Sequence, residues 1–467
     1  MQKSSRSFAA AMLIFLEECN KDEESEEGVL MKRTFANELS PEMDGENVLL
    51  YGWAQEVRDL KKVKFVVFRD FSGTVQLVAL PDAMKKEDFD SIAKITPESA
   101  ICAEGTVKKS NIAKLGFEVH LKRIDVLSKS EALPIIVTEK DIETGFAKRF
   151  DYRSIDLRKQ RNLAIFKIES ALVQGMTKFL DRAGFMHVFT PCIMGAASES
   201  GADVFKINYY DGEAYLRQDP QLHRQLSIAG GLEKIYDLGP SWRAEKSHTV
   251  KHLCEHRTCA VETAFIKDEI ELERLEEQLI VHAIKNVIEK CRGELSILGI
   301  KLEVPKTPFP EIKFPEVYGI LEKLGKKLPG GEDLDAESME LLGNYVKKEY
   351  ASDFYFVNRF PSAIKPFYVM KVDSEPEWAR SIDLNYGKLE LSSGGQREHR
   401  YEVLMTQVKE KHLNLKNLEW FTKFFKYGVP PHGGFALGIE RLTQAILNLP
   451  NIREAVLFPR EPDRLLP

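Results

Sequence analysis

The stretch Gly428-Val-Pro-Pro-His-Gly-Gly-Phe-Ala-Leu-Gly-Ile-Glu-Arg-Leu-Thr admits few structures. Gly433, Gly434 and Gly438 let a backbone pass close to a flat neighbour, because no Cβ holds it off. From Ile439 to Leu449 the pattern turns apolar and helical, with Arg441 inside it. A guanidinium there can lie on a purine face and keep its charge. The segment therefore predicts glycine-rich backbone running into a helix beside a bound planar ligand.

At 467 residues the chain is too long for one ordinary domain, so two or three are expected. The net charge of -6 argues against indiscriminate nucleic-acid binding. It leaves room for a local basic face that docks one RNA. Six cysteines are scattered without a CxxC pair, which fits a reducing cytosol and predicts a cytoplasmic protein. Ser7 to Leu16 is apolar after Lys3 and Arg6, loosely like a signal peptide. The run is short, however, and the acidic stretch Lys21 to Glu27 follows it. Residues 1–30 read as an extension, disordered or set by a misassigned start. No apolar run is long enough to span a membrane.

Val48-Leu-Leu-Tyr-Gly-Trp-Ala, Phe65-Val-Val-Phe-Arg-Asp, Gly73-Thr-Val-Gln-Leu-Val-Ala and Ala100-Ile-Cys-Ala-Glu-Gly-Thr-Val are short β-branched runs. Phe117-Glu-Val-His-Leu-Lys supplies a fifth strand, and Asp82 to Ala93 a helix. This inventory suits a small Greek-key barrel of the OB type, although alternation alone fits other barrels. Pro134 to Lys148 is a polar connector, and Arg149 to Arg158 is charge-dense. Beyond Asn162, helices are expected over Leu163 to Ala183 and Glu269 to Cys291.

Further segments carry candidate chemistry. Tyr236-Asp-Leu-Gly-Pro-Ser-Trp leads to Arg243 and Glu245, with Lys251 and His252 beyond. Taken alone, Arg243 and Glu245 are a surface pair on a hairpin. His248, His252, Cys254, His256 and Cys259 lie within twelve residues and could ligate zinc, but their spacing matches no common finger. Glu390-Leu-Ser-Ser-Gly-Gly-Gln-Arg-Glu-His contains Ser393 and Arg397; alone, Glu390 is an edge-strand charge and Arg397 a turn cation. Ser198 to Phe205, Tyr215-Leu-Arg-Gln-Asp-Pro-Gln-Leu-His-Arg-Gln and Phe185 to Pro191 complete the set.

Together these segments resemble class II aminoacyl-tRNA synthetases, closest to the aspartate branch in its archaeal form, over about residues 31–467. Phe185 to Pro191 is similar to motif 1, Tyr236 to Glu255 to motif 2 and the C-terminal stretch to motif 3. The resemblance implies an α+β chain. An N-terminal five-stranded OB-type β-barrel precedes a class II synthetase catalytic domain, built on an antiparallel sheet with flanking helices. The implied boundaries are 31–130 for the anticodon-binding OB-fold domain, 131–161 for a hinge and 162–467 for the catalytic domain.

The activity implied is ATP-dependent activation of L-aspartate to aspartyl-adenylate, then transfer to the 3′ end of tRNA(Asp). Whether tRNA(Asn) is also charged stays open. Arg243 would hold the ATP α-phosphate against the reacting carboxylate, since charge builds on phosphorus during attack. Glu245, Lys251, His252, His256, Gly438 and Arg441 would contact ATP. Glu390 and Ser393 would coordinate Mg²⁺, which prefers hard oxygen ligands. Glu199, Gln218, Arg224, Ser393, Arg397 and His432 would bind aspartate, with Glu199 near its α-amino group and Arg397 and Arg224 facing its side-chain carboxylate. Phe65 and Gln76 match residues that read the central anticodon base, and Gln55 and Lys114 residues near the third. Motif 1 implies a homodimer.

The pattern departs from the aspartate branch at several pocket positions. Arg224 stands where Lys is usual, Ala260 where Asp is usual, His256 where an aromatic is frequent, and Lys251 where Arg is usual. Three rivals therefore stay open: an asparaginyl enzyme, a diverged paralogue making adenylate for another acceptor, and a non-catalytic RNA-binding module.

Overall fold

The computed structural model describes residues 32–138, 144–195, 204–244, 246 and 249–467. The readings made for residues 1–30, Glu199, Glu245 and His248 lie outside them. The chain forms two compact units that divide between Pro134 and Ile135. Among the described residues, no helix is long and apolar enough to cross a membrane.

The first unit is a closed five-stranded barrel. Its strands are β1 (Asn47–Asp59), β2 (Lys64–Arg69), β3 (Thr74–Ala79), β4 (Ser99–Lys109) and β5 (Phe117–Ser128), in the order β1-β2-β3-β5-β4. The β-branched runs form strands because alternate residues fill one interior: Val48, Leu50, Val66, Phe68, Val75, Leu77 and Val119 are buried together. Strand β1 is long enough to pair with both β2 and β4, and a bulge at Gln55 bends it between them. Helix α1 (Lys86–Ile92) starts later than the expected Asp82 and closes the barrel with Phe89 and Ile92. A buried bidentate pair, Arg69 to Glu98 at 2.7 and 2.8 Å, joins β2 to the segment before β4.

The second unit is built on one eight-stranded sheet. Its strands are β6 (Met186–His187), β7 (Lys234–Trp242), β8 (Glu255–Ala264), β9 (Glu311–Lys313), β10 (Phe354–Asn358), β11 (Ser381–Tyr386), β12 (Leu389–Arg397) and β13 (His432–Gly438). The order across the sheet is β9-β10-β11-β12-β13-β8-β7-β6. The interior pairs are antiparallel, while the outermost pair at each edge is parallel. Helices α2 (Gln160–Arg182) and α4 (Ile270–Lys290), with α3 (Gln221–Ala229) between them in the chain, extend within a turn of the periodic stretches. Helices α2 and α4 cross closely at Gly175, where a Cβ would come within 2.7 Å of the Ala283 Cα. They cover one sheet face, burying Ile168, Leu172, Leu279, Ala283, Cys259, Val261, Phe435 and Leu437 in one core.

Alternation sends the neighbours of those core residues, His256, Thr258, Ala436 and Gly438, to the opposite face. Helix α5 (Ile439–Ile446) follows β13 directly, a turn shorter than expected from the apolar run.

Candidate active site

A cleft of about 300 Å³ opens on that second face. Segments far apart in sequence meet there. The turn before α3 supplies Gln218 and Asp219, and the segment after β7 supplies Arg243, Lys251 and His252. Strand β8 contributes His256; β12 contributes Glu390, Ser393 and Arg397; the β13–α5 junction contributes Gly438 and Arg441. Lys365, which sequence reasoning did not single out, joins this cationic lining.

Glu390 and Ser393 are three residues apart, which on a regular strand would send them to opposite faces. Leu384 pairs with Ser392 and Asn385 with Glu390, so Leu391 is an extra, bulged residue. The bulge turns both side chains into the cleft. Asp383 lies opposite Ser393 in the ladder. Its Oδ2 accepts from Lys365 Nζ at 3.1 Å, while its buried Oδ1 has no hydrogen-bond partner. Burial pushes the Asp383 carboxyl up to about 6, with Lys365 pulling down and Glu390 pushing up. Two carboxylates and a hydroxyl with an unfilled oxygen suit a hard divalent cation that completes its shell with phosphate and water oxygens. Among the described residues no trio of His, Cys, Asp or Glu forms a metal cage, so ligand oxygens would be needed.

Arg441 stands in the first turn of α5, where the helix dipole disfavours a cation by about 0.3–1 kcal/mol. Its Nη1 donates to the Glu390 carbonyl at 3.0 Å and carboxylate at 3.3 Å. Nearby, burial first and then the charges of Arg243 and Arg441 push the His256 imidazole down to about 3. His256 is therefore held neutral, and it lines the same cleft as the two guanidinium groups.

The cleft floor departs from expectation at two residues. Arg224 is fully buried and does not line the cleft. Its Nη1 and Nη2 donate to the two Asp219 oxygens at 2.7 and 3.0 Å, and Nη2 also donates to Gln221 Oε1 at 2.7 Å. Asp219, missed in the sequence, is what reaches the cleft, its side chain 30% exposed. Burial opposes its ionisation, but Arg224 outweighs that, with Arg397 and Arg217 beyond, and holds the carboxyl below the usual carboxylate range. His432 is also fully buried; Nδ1 faces the Pro430 carbonyl at 2.8 Å and Nε2 faces Gln225 Oε1 at 3.2 Å. Burial pushes it down to about 4, so it is a neutral support behind the floor.

Arg397 lines the cleft and is braced by Glu262 at 3.0 Å, Gln221 at 3.1 Å and the Gly434 carbonyl at 2.9 Å. The glycines divide in role. Gly438 lines the cleft, whereas a Cβ at Gly434 would collide with the Val261 carbonyl oxygen in the next strand. Gly433 and Gly434 thus serve close packing within the protein and not contact with a ligand.

On the barrel, burial alternates along β2 and β3 so that Phe65 and Gln76 lie outside the core, half-buried. Gln76 Nε2 donates to Glu118 at 3.4 Å. Gln55 is the bulged residue of β1, and Lys114 is exposed on the turn between β4 and β5.

Residues 146–462 match the family described as tRNA synthetases class II (D, K and N), and residues 48–127 match the OB-fold nucleic acid binding domain. An aspartate–tRNA(Asp) ligase from Pyrococcus furiosus is 43% identical over 94% of the chain and 100% of its own length. An aspartate–tRNA(Asp/Asn) ligase from Methanopyrus kandleri is 40% identical over the same shares. Among solved structures, asparaginyl-tRNA synthetase from Pyrococcus horikoshii with asparaginyl-adenylate superposes with a TM-score of 0.87. It is 32% identical, over 94% of this chain and 100% of that one.

Proposed function

Because the chain belongs to the class II tRNA synthetases (D, K and N), we propose that it activates L-aspartate with ATP and transfers it to tRNA(Asp). The observation that carries this reading is one cleft gathering Arg243 and Arg441, from the segments that resemble motifs 2 and 3, with Glu390 and Arg397 from strand β12. The aspartate ligases among its relatives, at 40–43% identity, favour aspartate over asparagine.

The aspartate α-carboxylate attacks the ATP α-phosphorus, the bond to the bridging oxygen breaks, and pyrophosphate leaves. Arg243 takes up negative charge that grows on the α-phosphate oxygens, a contact stronger in the transition state than before it. Neutral His256 and Arg441 hold the adenine between them, and Lys251 and His252 steady the phosphate tail. Glu390, Ser393 and Asp383 are the residues that would hold Mg²⁺, which neutralises phosphate charge when bound. The rate comes from positioning and charge, with no protein nucleophile. The acyl group then passes to the 3′-terminal ribose hydroxyl, and AMP leaves. The barrel's outer face, with Phe65 and Gln76, reads the anticodon. Motif 1, with Phe189 85% exposed beside edge strand β6, forms a homodimer interface.

Amino-acid-dependent pyrophosphate exchange tests the reading. Aspartate should support exchange and asparagine should not. Arg243→Ala and Arg441→Ala should each lower exchange by about a hundredfold or more. Exchange with asparagine alone would move the assignment to the asparaginyl reading. Near-normal exchange in both folded variants would remove the synthetase reading.

A further inference from the structure

The proposed substrate, a free amino acid, carries two kinds of charge. Its carboxylates require cations, and its α-ammonium group requires an acceptor that is anionic and reachable. The cations at this end of the cleft are plain, Arg397 foremost. The acids are fewer. Glu262 is fully buried, and its oxygens accept from Arg397 and, at 3.0 Å, from Gln221. Glu440 is buried and accepts from the Arg257 backbone at 3.0 and 3.1 Å. Glu390 lies with Arg441, at the other end of β12 from Arg397. Among the described lining residues that leaves Asp219, whose carboxylate is open to the cleft between Gln218 and Gln221.

We propose that Asp219 receives the α-ammonium group of the amino-acid substrate, with Arg224 the positioning residue that anchors it from behind. Each Asp219 oxygen accepts one N–H from Arg224 and keeps further lone-pair capacity on its cleft side. The guanidinium fork fixes both oxygens in one plane, so the carboxylate is oriented before substrate arrives. Arg224 therefore acts on the substrate through Asp219. This arrangement also accommodates Ala260: beside Glu262 of β8, at 3.9 Å, the nearer counter-charge for the buried cation comes from Asp219 in the turn before α3. The inference rests on the reading that the cleft binds a free amino acid.

The experiment compares aspartate with succinate, which keeps both carboxylates and lacks only the amino group. Aspartate KM and succinate inhibition constants are measured by pyrophosphate exchange on the full chain, for wild type, Asp219→Asn and Asp219→Glu. Asp219→Asn should raise the aspartate KM by about tenfold or more, as for loss of a hydrogen bond to a charged group. The ATP KM should stay unchanged and the preference for aspartate over succinate should narrow by a similar factor. Asp219→Glu should recover part of that preference. If Asp219 acts only by placing Arg224, both ligands weaken equally and the ratio stays fixed, which overturns the proposal. A wild type that uses asparagine in place of aspartate would refute the substrate reading alone. The comparison is then made between asparagine and succinamate, its des-amino counterpart, and an unchanged ratio again overturns the role of Asp219.

Discussion

At the scale of single residues, the cleft floor is a set of charges already matched before any ligand binds. Arg224 illustrates what that costs. Its guanidinium has no exposure to solvent and depends on Asp219 and, at 3.9 Å, on Glu262. Arg224→Ala should destabilise the fold by about 3–5 kcal/mol, because it leaves acids without their cation in a buried setting. Arg224→Lys should cost less, since it keeps the charge but replaces a fork with a point donor. Urea unfolding of the two variants checks the order; equal losses would mean that the volume of the side chain matters and its charge does not. The sequence showed Arg224 as a departure at a pocket position but gave no sign of its depth. Depth depends on how α3 rests against the sheet, which buries Arg224 within the helix and leaves Asp219, just before it, open to the cleft.

At the scale of elements, helix α4 carries an acidic group on its buried face. Glu273 is fully buried, and its Oε1 accepts from Asn358 Nδ2 at 2.9 Å. The same amide group donates to Glu311 at 2.7 Å. Burial, and then the charge of Glu311, push the Glu273 carboxyl from 4.5 to about 9. Between these values the folded state holds a proton that the unfolded state releases, so stability falls as pH rises through that window. Glu273→Gln removes the titration. Its melting temperature relative to wild type should therefore climb from pH 5 to pH 9; a flat difference would mean that Glu273 is ionised and paired.

Element positions were legible in the sequence wherever one period dominated. Alternation marked β2 and β3, and the 3.6 period marked α2 and α4, to within a few residues. The bulge at Leu391 was not legible, because Glu-Leu-Ser-Ser reads as ordinary strand until its partner's register is known. The family resemblance singled out Glu390 and Ser393 together, and the bulge supplies the physical reason. Asp383 and Lys365 were missed for a related reason. Lys365 lines the cleft, Asp383 pairs with Lys365 and stands opposite Ser393, and pairing across a sheet leaves no local trace in the chain.

At the scale of the whole molecule, two units with separate cores carry the two halves of the proposed task. Gln76→Ala alters the barrel's outer face and no residue of its core, so it should leave aspartate-dependent pyrophosphate exchange intact and lower the rate of tRNA charging. Loss of both activities would show that Gln76 supports the fold. A tRNA charging rate equal to wild type would remove it from the anticodon contacts.

The glycines at the middle of the large sheet have a further consequence, for inheritance. Gly394, Gly395, Gly433 and Gly434 sit on adjacent strands, and a Cβ at any of them would meet a backbone or packed side-chain atom closer than 3.0 Å. Every missense change at a glycine codon adds at least a Cβ, so these positions offer no mild first step to drift. The polar floor can vary by moving a charge from one element to another, as Asp219 and Ala260 suggest. The backbone beneath it cannot. In a library of random variants the four positions should stand out as a cold block running across two strands, whatever amino acid the pocket above has come to select.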